Sequence, residues 1–210
     1  MSVSSRTRAV VQIVVLFVFP IALIASGVVP VSQRFWVLLA VVAVVASIVV
    51  RDPLLWSAMG VRTGNLRSAV VPYTALAIVG VVVVVVVAAF AGRSPRMNWW
   101  ASPHFWGIFF IISAAQEFLY RGFLISKLKD IVRSSILVIV VDATLFALLH
   151  VIFPDPALVL PMSFLAGLAL AALWLRWPNL LLASVAHAVL NVSFVMYCFG
   201  SFATSCMVVK

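Results

Sequence analysis

Long apolar stretches separated by short polar connectors make up most of the chain. A helix needs about 20 apolar residues to cross the hydrocarbon core of a bilayer, and seven stretches approach or reach that length. Within lipid, a spanning segment must satisfy its own backbone hydrogen bonds, which favours helices. The pattern therefore predicts an all-α bundle of transmembrane helices over Ala9–Val29, Phe35–Val50, Ala69–Ala91, His104–Ile125, Ser134–Phe153, Ala157–Leu175 and Leu180–Phe199.

The connectors and the C-terminus complete this organisation. Connectors carry helix-breaking residues such as Pro53, Gly60 and Pro154. Residues 199–209 could form part of an eighth helix. The first apolar run is longer than the apolar region of a signal peptide, about 7–15 residues, so a retained helix is expected. No internal repeat divides the sequence, and we predict one integral membrane domain over residues 1–210.

Composition supports a membrane environment. Hydrophobic residues make up 66% of the chain and charged residues 9%, whereas soluble domains average about 45–50% and about 25%. On a soluble protein, the net charge of +9 would suggest nucleic acid. Here the charges lie almost entirely in connectors, which indicates membrane topology and contact with anionic lipid. We therefore expect the bilayer, and no nucleic acid, as a partner.

The distribution of basic residues predicts the orientation of the chain. Cytoplasmic connectors of membrane proteins carry an excess of Lys and Arg. With a cytoplasmic N-terminus, nine basic residues lie in inner segments and four in outer ones. The inner set is Arg6, Arg8, Arg51, Arg62, Arg67, Lys127, Lys129, Arg133 and Arg176, and the outer set is Arg34, Arg93, Arg96 and Lys210.

The two cysteines, Cys198 and Cys206, lie near the C-terminus without the spacing of metal ligands. Packing residues in a membrane helix are their expected role. A disulfide or a lipid-bearing thiol is the alternative.

One ionisable pair lies within the fourth predicted span. Glu117 is the only glutamate of the protein, and a charge at that depth costs a few kcal/mol on insertion scales. Arg121 follows four residues later, on the same helical face, so the two side chains can form an ion pair. Such a pair can be purely structural, because structural networks also hold buried charges.

Further polar residues occur in two other spans. His150 lies late in the fifth span, and His187 and Asn191 lie four residues apart on one face of the seventh. Each would be costly against lipid, so we expect all of them to point into the bundle and to line a shared cavity with Glu117. Asp142 is interpreted as a polar partner within the bundle that could transfer protons, and His104 as an interfacial residue.

These residues form three ordered motifs: Gln116-Glu117 with Arg121, Phe146 with His150, and His187 with Asn191. They resemble Glu-Glu-x-x-x-Arg, Phe-x-x-x-His and His-x-x-x-Asn of the type II CAAX-prenyl-protease family, also called Abi or CPBP. That family comprises intramembrane endopeptidases and bacteriocin-processing or immunity proteins. The resemblance covers about residues 106–195, and the motif-bearing core is predicted at about residues 104–200.

The resemblance implies a multi-pass hydrolase in the plasma membrane of a prokaryote, acting on a peptide or membrane-protein substrate that can be lipidated. In the family, the first glutamate activates water together with the histidine of the second motif. Gln116 occupies that first position here. In a glutamic-type protease with this sequence, Glu117 is therefore expected to act as the general base. His150 would share the water, His187 and Asn191 would stabilise the oxyanion, and Arg121 would orient Glu117.

Other classes of site and protein follow from the same residues. Glu117, His150 and His187 could ligate zinc, although the resemblance implies a metal-free enzyme that needs no cofactor. A catalytically weak or inactive member, acting in bacteriocin immunity or partner binding, would tolerate Gln116. A transporter should show inverted repeats, and none is evident. A retinal protein is excluded because no lysine lies in the middle of a span.

Overall fold

The computed structural model describes residues 3–95 and 103–199, and these residues form eight helices and no strand. In chain order the helices are α1 (residues 3–25), α2 (Arg34–Val50), α3 (Pro53–Ala58), α4 (Leu66–Phe90), α5 (residues 103–131), α6 (Ser135–Leu148), α7 (Pro156–Arg176) and α8 (Leu180–Met196). Two of them contain a π-helical segment, Val14–Val18 in α1 and Phe118–Leu124 in α5, and a 3₁₀ turn, Val31–Gln33, precedes α2. The predicted all-α membrane bundle is confirmed.

The helices agree with the predicted spans except at some ends. Four are long and apolar enough to cross a bilayer: Ser5–Ala25, Val31–Val50, Leu66–Phe90 and Pro156–Arg176. The fifth predicted span is too long, because α6 ends at Leu148. Beyond it the backbone tightens into turns, in which the His150 N–H donates to the carbonyl of Ala147 at 2.8 Å. The short α3 was not predicted, and the possible eighth span, residues 199–209, lies almost entirely outside the described residues.

The two shorter apolar helices, α6 and α8, each have a polar capping residue at the N-terminus. Ser134 Oγ accepts from the Leu137 N–H at 3.4 Å at the start of α6. Asn179 Oδ1 accepts from the Leu182 N–H at 3.0 Å at the start of α8. Each cap satisfies a backbone donor that the first helical turn leaves without a partner.

Helix α5 runs through the centre of the bundle. All residues from Leu119 to Ile125 are buried, so this stretch has no face toward lipid or solvent. A helix that is buried on every side must be apolar, or its polar side chains must find partners within the protein. This stretch nevertheless contains Arg121. The π-helical segment that begins at Phe118 includes this arginine, and π segments are frequent at functional sites.

Gly167 lets α6 and α7 approach closely beside α5. A Cβ atom at this position would lie 3.0 Å from the Cα of Ala143 and 3.2 Å from its Cβ. Small residues at such contacts allow backbones in membrane bundles to pack tightly. The close packing brings the carbonyl of Gly167 to 3.4 Å from Nη2 of Arg121.

Arg93 joins the ends of α4, α7 and α8 on the side where α8 ends. It forms an ion pair with Asp155, donates to the carbonyl of Cys198 at 2.8 Å and lies 4.5 Å above the Phe199 ring. Cys198 is disulfide-bonded. The interpretation of this cysteine as a packing residue is therefore wrong.

Candidate active site

Glu117 lies at the end of the regular α-helical part of α5, with its side chain fully buried. Its Oε1 atom is 2.7 Å from Nδ1 of His187 in α8. Its Oε2 atom is 3.4 Å from Nε of Arg121. The ion pair predicted from the spacing of four residues is therefore present, and it is extended by a histidine from a second helix.

Arg121 also contacts a second carboxylate. Its Nη1 atom lies 3.7 Å from Oδ2 of Asp142 in α6, and both side chains are fully buried. The guanidinium stacks 4.5 Å above the ring of Phe146, a favourable cation–π contact. Glu117, Arg121 and Asp142, called the charge cluster below, thus gather two carboxylates around one guanidinium in a dry part of the bundle.

A cavity of about 800 Å³ lies beside this cluster and is lined by residues of α1, α2 and α4 to α8. Most of its lining is apolar. Four motif residues, called the cavity wall below, contribute polar groups to it: Gln116, His150, His187 and Asn191.

Glu117 does not line this cavity. Gln116 and Glu117 are adjacent on a helix and project about 100° apart, so only one of them can face the cavity. Gln116 takes the cavity face, and Glu117 points into the charge cluster. The expectation of a shared cavity holds for His150, His187 and Asn191, whereas Glu117 reaches it only through its hydrogen bond to His187.

The hydrogen bonds of the two histidines indicate which ring nitrogen of each can accept a proton. Nδ1 of His150 lies 2.9 Å from the Phe146 carbonyl, which can only accept, so Nδ1 carries the proton. Nδ1 of His187 likewise donates to the Glu117 carboxylate. In neutral imidazoles with these protons, Nε2 is the unprotonated, basic nitrogen.

Phe146, the aromatic residue of the second motif, packs at the centre of the site. Its ring centroid lies 5.1 Å from that of His150 and 5.3 Å from that of His187. Its face also receives Arg121. One apolar ring therefore contacts both histidines and the guanidinium.

Sequence reasoning missed Ser113, whose Oγ accepts from Nδ2 of Asn191 at 3.0 Å. Ser113 precedes Glu117 by four residues and is fully buried. This helical spacing could have identified it, because residues four apart share a face. His104 belongs to α5, but its side chain lies outside the described part of the structure.

The residues proposed as alternative zinc ligands are not assembled as a metal site. Within residues 3–95 and 103–199, no group of three or more His, Cys, Asp or Glu side chains could hold a metal ion. Glu117 and His187 bind each other directly, whereas ligands of one zinc ion would converge on the metal. The zinc alternative does not fit this arrangement, and metal-free chemistry remains a prediction.

Comparison with known families agrees with the motifs. Residues 98–193, just under half of the chain, match the family Type II CAAX prenyl endopeptidase Rce1-like. The match contains all three motifs, and the resemblance stated from the sequence is confirmed. No curated protein and no solved structure matches the chain. By fold and by this match, the chain is a helical membrane protein whose core is similar to CAAX-type intramembrane proteases.

Proposed function

We propose that this protein is an intramembrane endopeptidase in which Glu117 and His187 together activate water. The observation that carries the proposal is the 2.7 Å hydrogen bond between Glu117 Oε1 and His187 Nδ1, directly behind a cavity that His187 lines. A carboxylate on Nδ1 orients the imidazole and stabilises its protonated form, which makes Nε2 a better general base. In this proposal Glu117 is still essential, but His187 is the residue that contacts the attacking water.

The reaction is hydrolysis without a covalent intermediate. His187 Nε2 accepts a proton from water while the water oxygen attacks the carbonyl carbon of the scissile peptide bond. The amide group of Asn191 supplies a donor for the developing oxyanion. As the C–N bond breaks, the imidazolium returns its proton to the leaving amine, and the products are a carboxylic acid and an amine.

His150 holds the attacking water in this scheme. Its Nε2 is a hydrogen-bond acceptor because Nδ1 donates to the Phe146 carbonyl. A second acceptor orients the water lone pair toward the substrate. Arg121 and Asp142 do not touch the substrate; they hold Glu117 in its orientation toward His187.

The expected substrate is a peptide or membrane protein with an apolar segment, which can include a lipid chain. The largely apolar lining of the cavity supports this class. The protein is expected to be a single membrane domain in the plasma membrane of a prokaryote, as the family resemblance implies. The distribution of basic residues supports a cytoplasmic N-terminus. The disulfide at Cys198 also supports this orientation, because disulfides persist on the oxidising, external side.

The test is cleavage of an apolar fluorogenic peptide by the detergent-solubilised protein. His187→Ala and Glu117→Gln should each lower turnover by about 10²–10⁴-fold, the usual contribution of a positioned base. Ser184→Ala is the matched control: Ser184 is a buried polar residue of α8 that bonds to the Leu180 carbonyl and lies outside the cavity lining. It should retain activity. Full turnover in Glu117→Gln would refute the Glu117–His187 mechanism.

One observation favours a second candidate function, that of a non-catalytic immunity or partner-binding protein. The residue of the first motif that lines the cavity is Gln116, an amide that cannot accept a proton as a carboxylate can. A protein of this kind would bind peptides that it does not cleave. Binding without turnover, unaffected by Glu117→Gln, would favour this candidate.

A further inference from the structure

Ser163, in the first half of α7, lines the cavity but belongs to none of the three motifs. Its side chain is only 7% exposed. Within the residues that the structure describes, its hydroxyl group has no hydrogen-bond partner. Buried polar groups are nearly always hydrogen-bonded, so a buried hydroxyl without a partner at the edge of a cavity calls for an explanation.

Other hydroxyl side chains in the membrane helices bond to their own helix. Ser126, Thr144 and Ser184 each donate to the carbonyl four residues earlier, at 2.6, 2.8 and 2.7 Å. Such bonds satisfy a hydroxyl where no water is present. Ser163 makes no bond of this kind to the carbonyl of Val159, so its hydroxyl proton is left for a group in the cavity.

The packing of α6 against α7 places Ser163 at the level of His150. The two helices are joined by a short connector and run antiparallel. Gly167 of α7 faces Ala143 and Phe146 of α6. Ser163 lies one turn before Gly167 on the same face, and His150 lies about one turn after Phe146. Antiparallel packing therefore brings Ser163 and His150 to the same part of the cavity lining.

The attacking water of the proposed mechanism has one position still to be filled. A water molecule has two protons and two lone pairs. The protons point to Nε2 of His150 and to Nε2 of His187, which are both acceptors in the neutral rings. One lone pair attacks the carbonyl carbon of the substrate. The other lone pair requires a donor, and the hydroxyl of Ser163 is a donor beside His150.

We propose that Ser163 is a positioning residue that donates its hydroxyl proton to the attacking water and so orients the other lone pair toward the scissile carbonyl. This inference rests on the proposed peptidase function and adds a residue to its mechanism. The O–H bond of Ser163 stays intact: the water loses a proton to His187 Nε2 while its oxygen bonds to the carbonyl carbon. A nucleophilic Ser163 would instead form an acyl-enzyme, and the experiment separates the two roles.

The experiment measures kcat and KM for the fluorogenic peptide in Ser163→Ala. We expect kcat to fall about tenfold, near the upper limit for one neutral hydrogen bond, with KM unchanged because the substrate loses no contact. Ser163→Thr keeps the hydroxyl and should restore most of kcat. Ser184→Ala, the matched control, should keep both constants. Ser163→Ala should also melt like the wild type, because the hydroxyl bonds to no protein group.

Four results would overturn the inference. An unchanged kcat in Ser163→Ala would show that the water does not need this donor. A raised KM at constant kcat would mean that Ser163 contacts the substrate instead. A loss that Ser163→Thr does not reverse would assign the effect to space and not to the hydroxyl. Labelling of Ser163 by a fluorophosphonate, detected by mass spectrometry, would identify a nucleophile.

A binding assay separates this inference from the proposed function. A fluorescein-labelled peptidyl trifluoromethyl ketone adds water to its carbonyl, which places a hydroxyl where the attacking water would lie. The matched methyl ketone stays unhydrated. By anisotropy in an uncharged detergent, Ser163→Ala should bind the hydrate about tenfold more weakly than the wild type and the methyl ketone equally well.

The two assays together distinguish the two failures. This binding pattern without any peptide cleavage would support Ser163 as the water donor and refute the peptidase proposal. Peptide cleavage with equal affinity of wild type and Ser163→Ala for the hydrate would do the reverse. A wild-type protein that does not bind the hydrate would overturn the inference as well.

Discussion

The cavity wall and the charge cluster lie side by side but differ in how their polar groups are held. All four wall residues line the cavity, and two of them, His150 and Asn191, are only half-buried, each with one side-chain hydrogen bond. The cluster is completely buried and holds opposite charges in contact. Gln116 and Glu117 are adjacent in the chain, yet one belongs to the wall and the other to the cluster.

Residues of the same motif can therefore have different roles. The wall can change its chemistry at modest cost to stability, since its groups have space beside them. The cluster cannot lose one charge without leaving another uncompensated in a medium of low polarity. His187 connects the two regions, because it lines the cavity and bonds to Glu117.

The largest expected effect follows from removing the guanidinium. Arg121→Met would leave the carboxylates of Glu117 and Asp142 buried without a cation. Breaking a buried ion pair in this way costs about 3–5 kcal/mol. We expect low expression and a much lower melting temperature in detergent, whereas Arg51→Gln, which removes an exposed charge, should melt like the wild type.

A compensating variant sharpens this prediction. The triple variant Glu117→Gln, Asp142→Asn, Arg121→Met removes all three charges together. Replacing a complete buried ion network is often neutral for stability, so most of the lost melting temperature should return while activity does not. A wild-type melting temperature in Arg121→Met alone would mean that the cluster does not hold the fold.

The next effect concerns the wall. Gln116→Glu places a carboxylate where the family has its first glutamate, facing the cavity. We expect turnover to rise by about 10²-fold, the lower end of what a positioned base contributes, with little change in melting temperature. Gln116→Ala is the control and should give no rise. Unchanged turnover in Gln116→Glu would mean that the attacking water does not approach this position.

The smallest effect concerns the link between Ser113 and Asn191. Ser113→Ala removes one acceptor, and a single neutral hydrogen bond contributes about 0.5–1.5 kcal/mol. We expect a small decrease in melting temperature and a few-fold loss of turnover, because Asn191 loses its fixed orientation. Ser113→Thr keeps a hydroxyl and should restore both. A decrease in melting temperature as large as that of Arg121→Met would mean that Ser113 stabilises the fold as strongly as the charge cluster does.

Several features of the molecule could be predicted from the chain alone. The apolar runs predicted the helices because a membrane span has a minimum length and must satisfy its own hydrogen bonds. The pairing of Glu117 with Arg121 followed from their spacing on one helix. The end of α6 was not predictable from hydropathy, because the residues after Leu148 are as apolar as those before it and differ only in their backbone turns.

The sequence by itself determined the helical membrane class, the three motifs and which polar residues must avoid lipid, because these depend on composition and on periodicity along one helix. Only the tertiary structure decided the partners. It paired Glu117 with His187, brought Asp142 to Arg121, and turned Gln116 toward the cavity. These relations depend on how α5, α6 and α8 rotate and pack against one another, and that geometry involves residues distant in the chain, which no local pattern encodes.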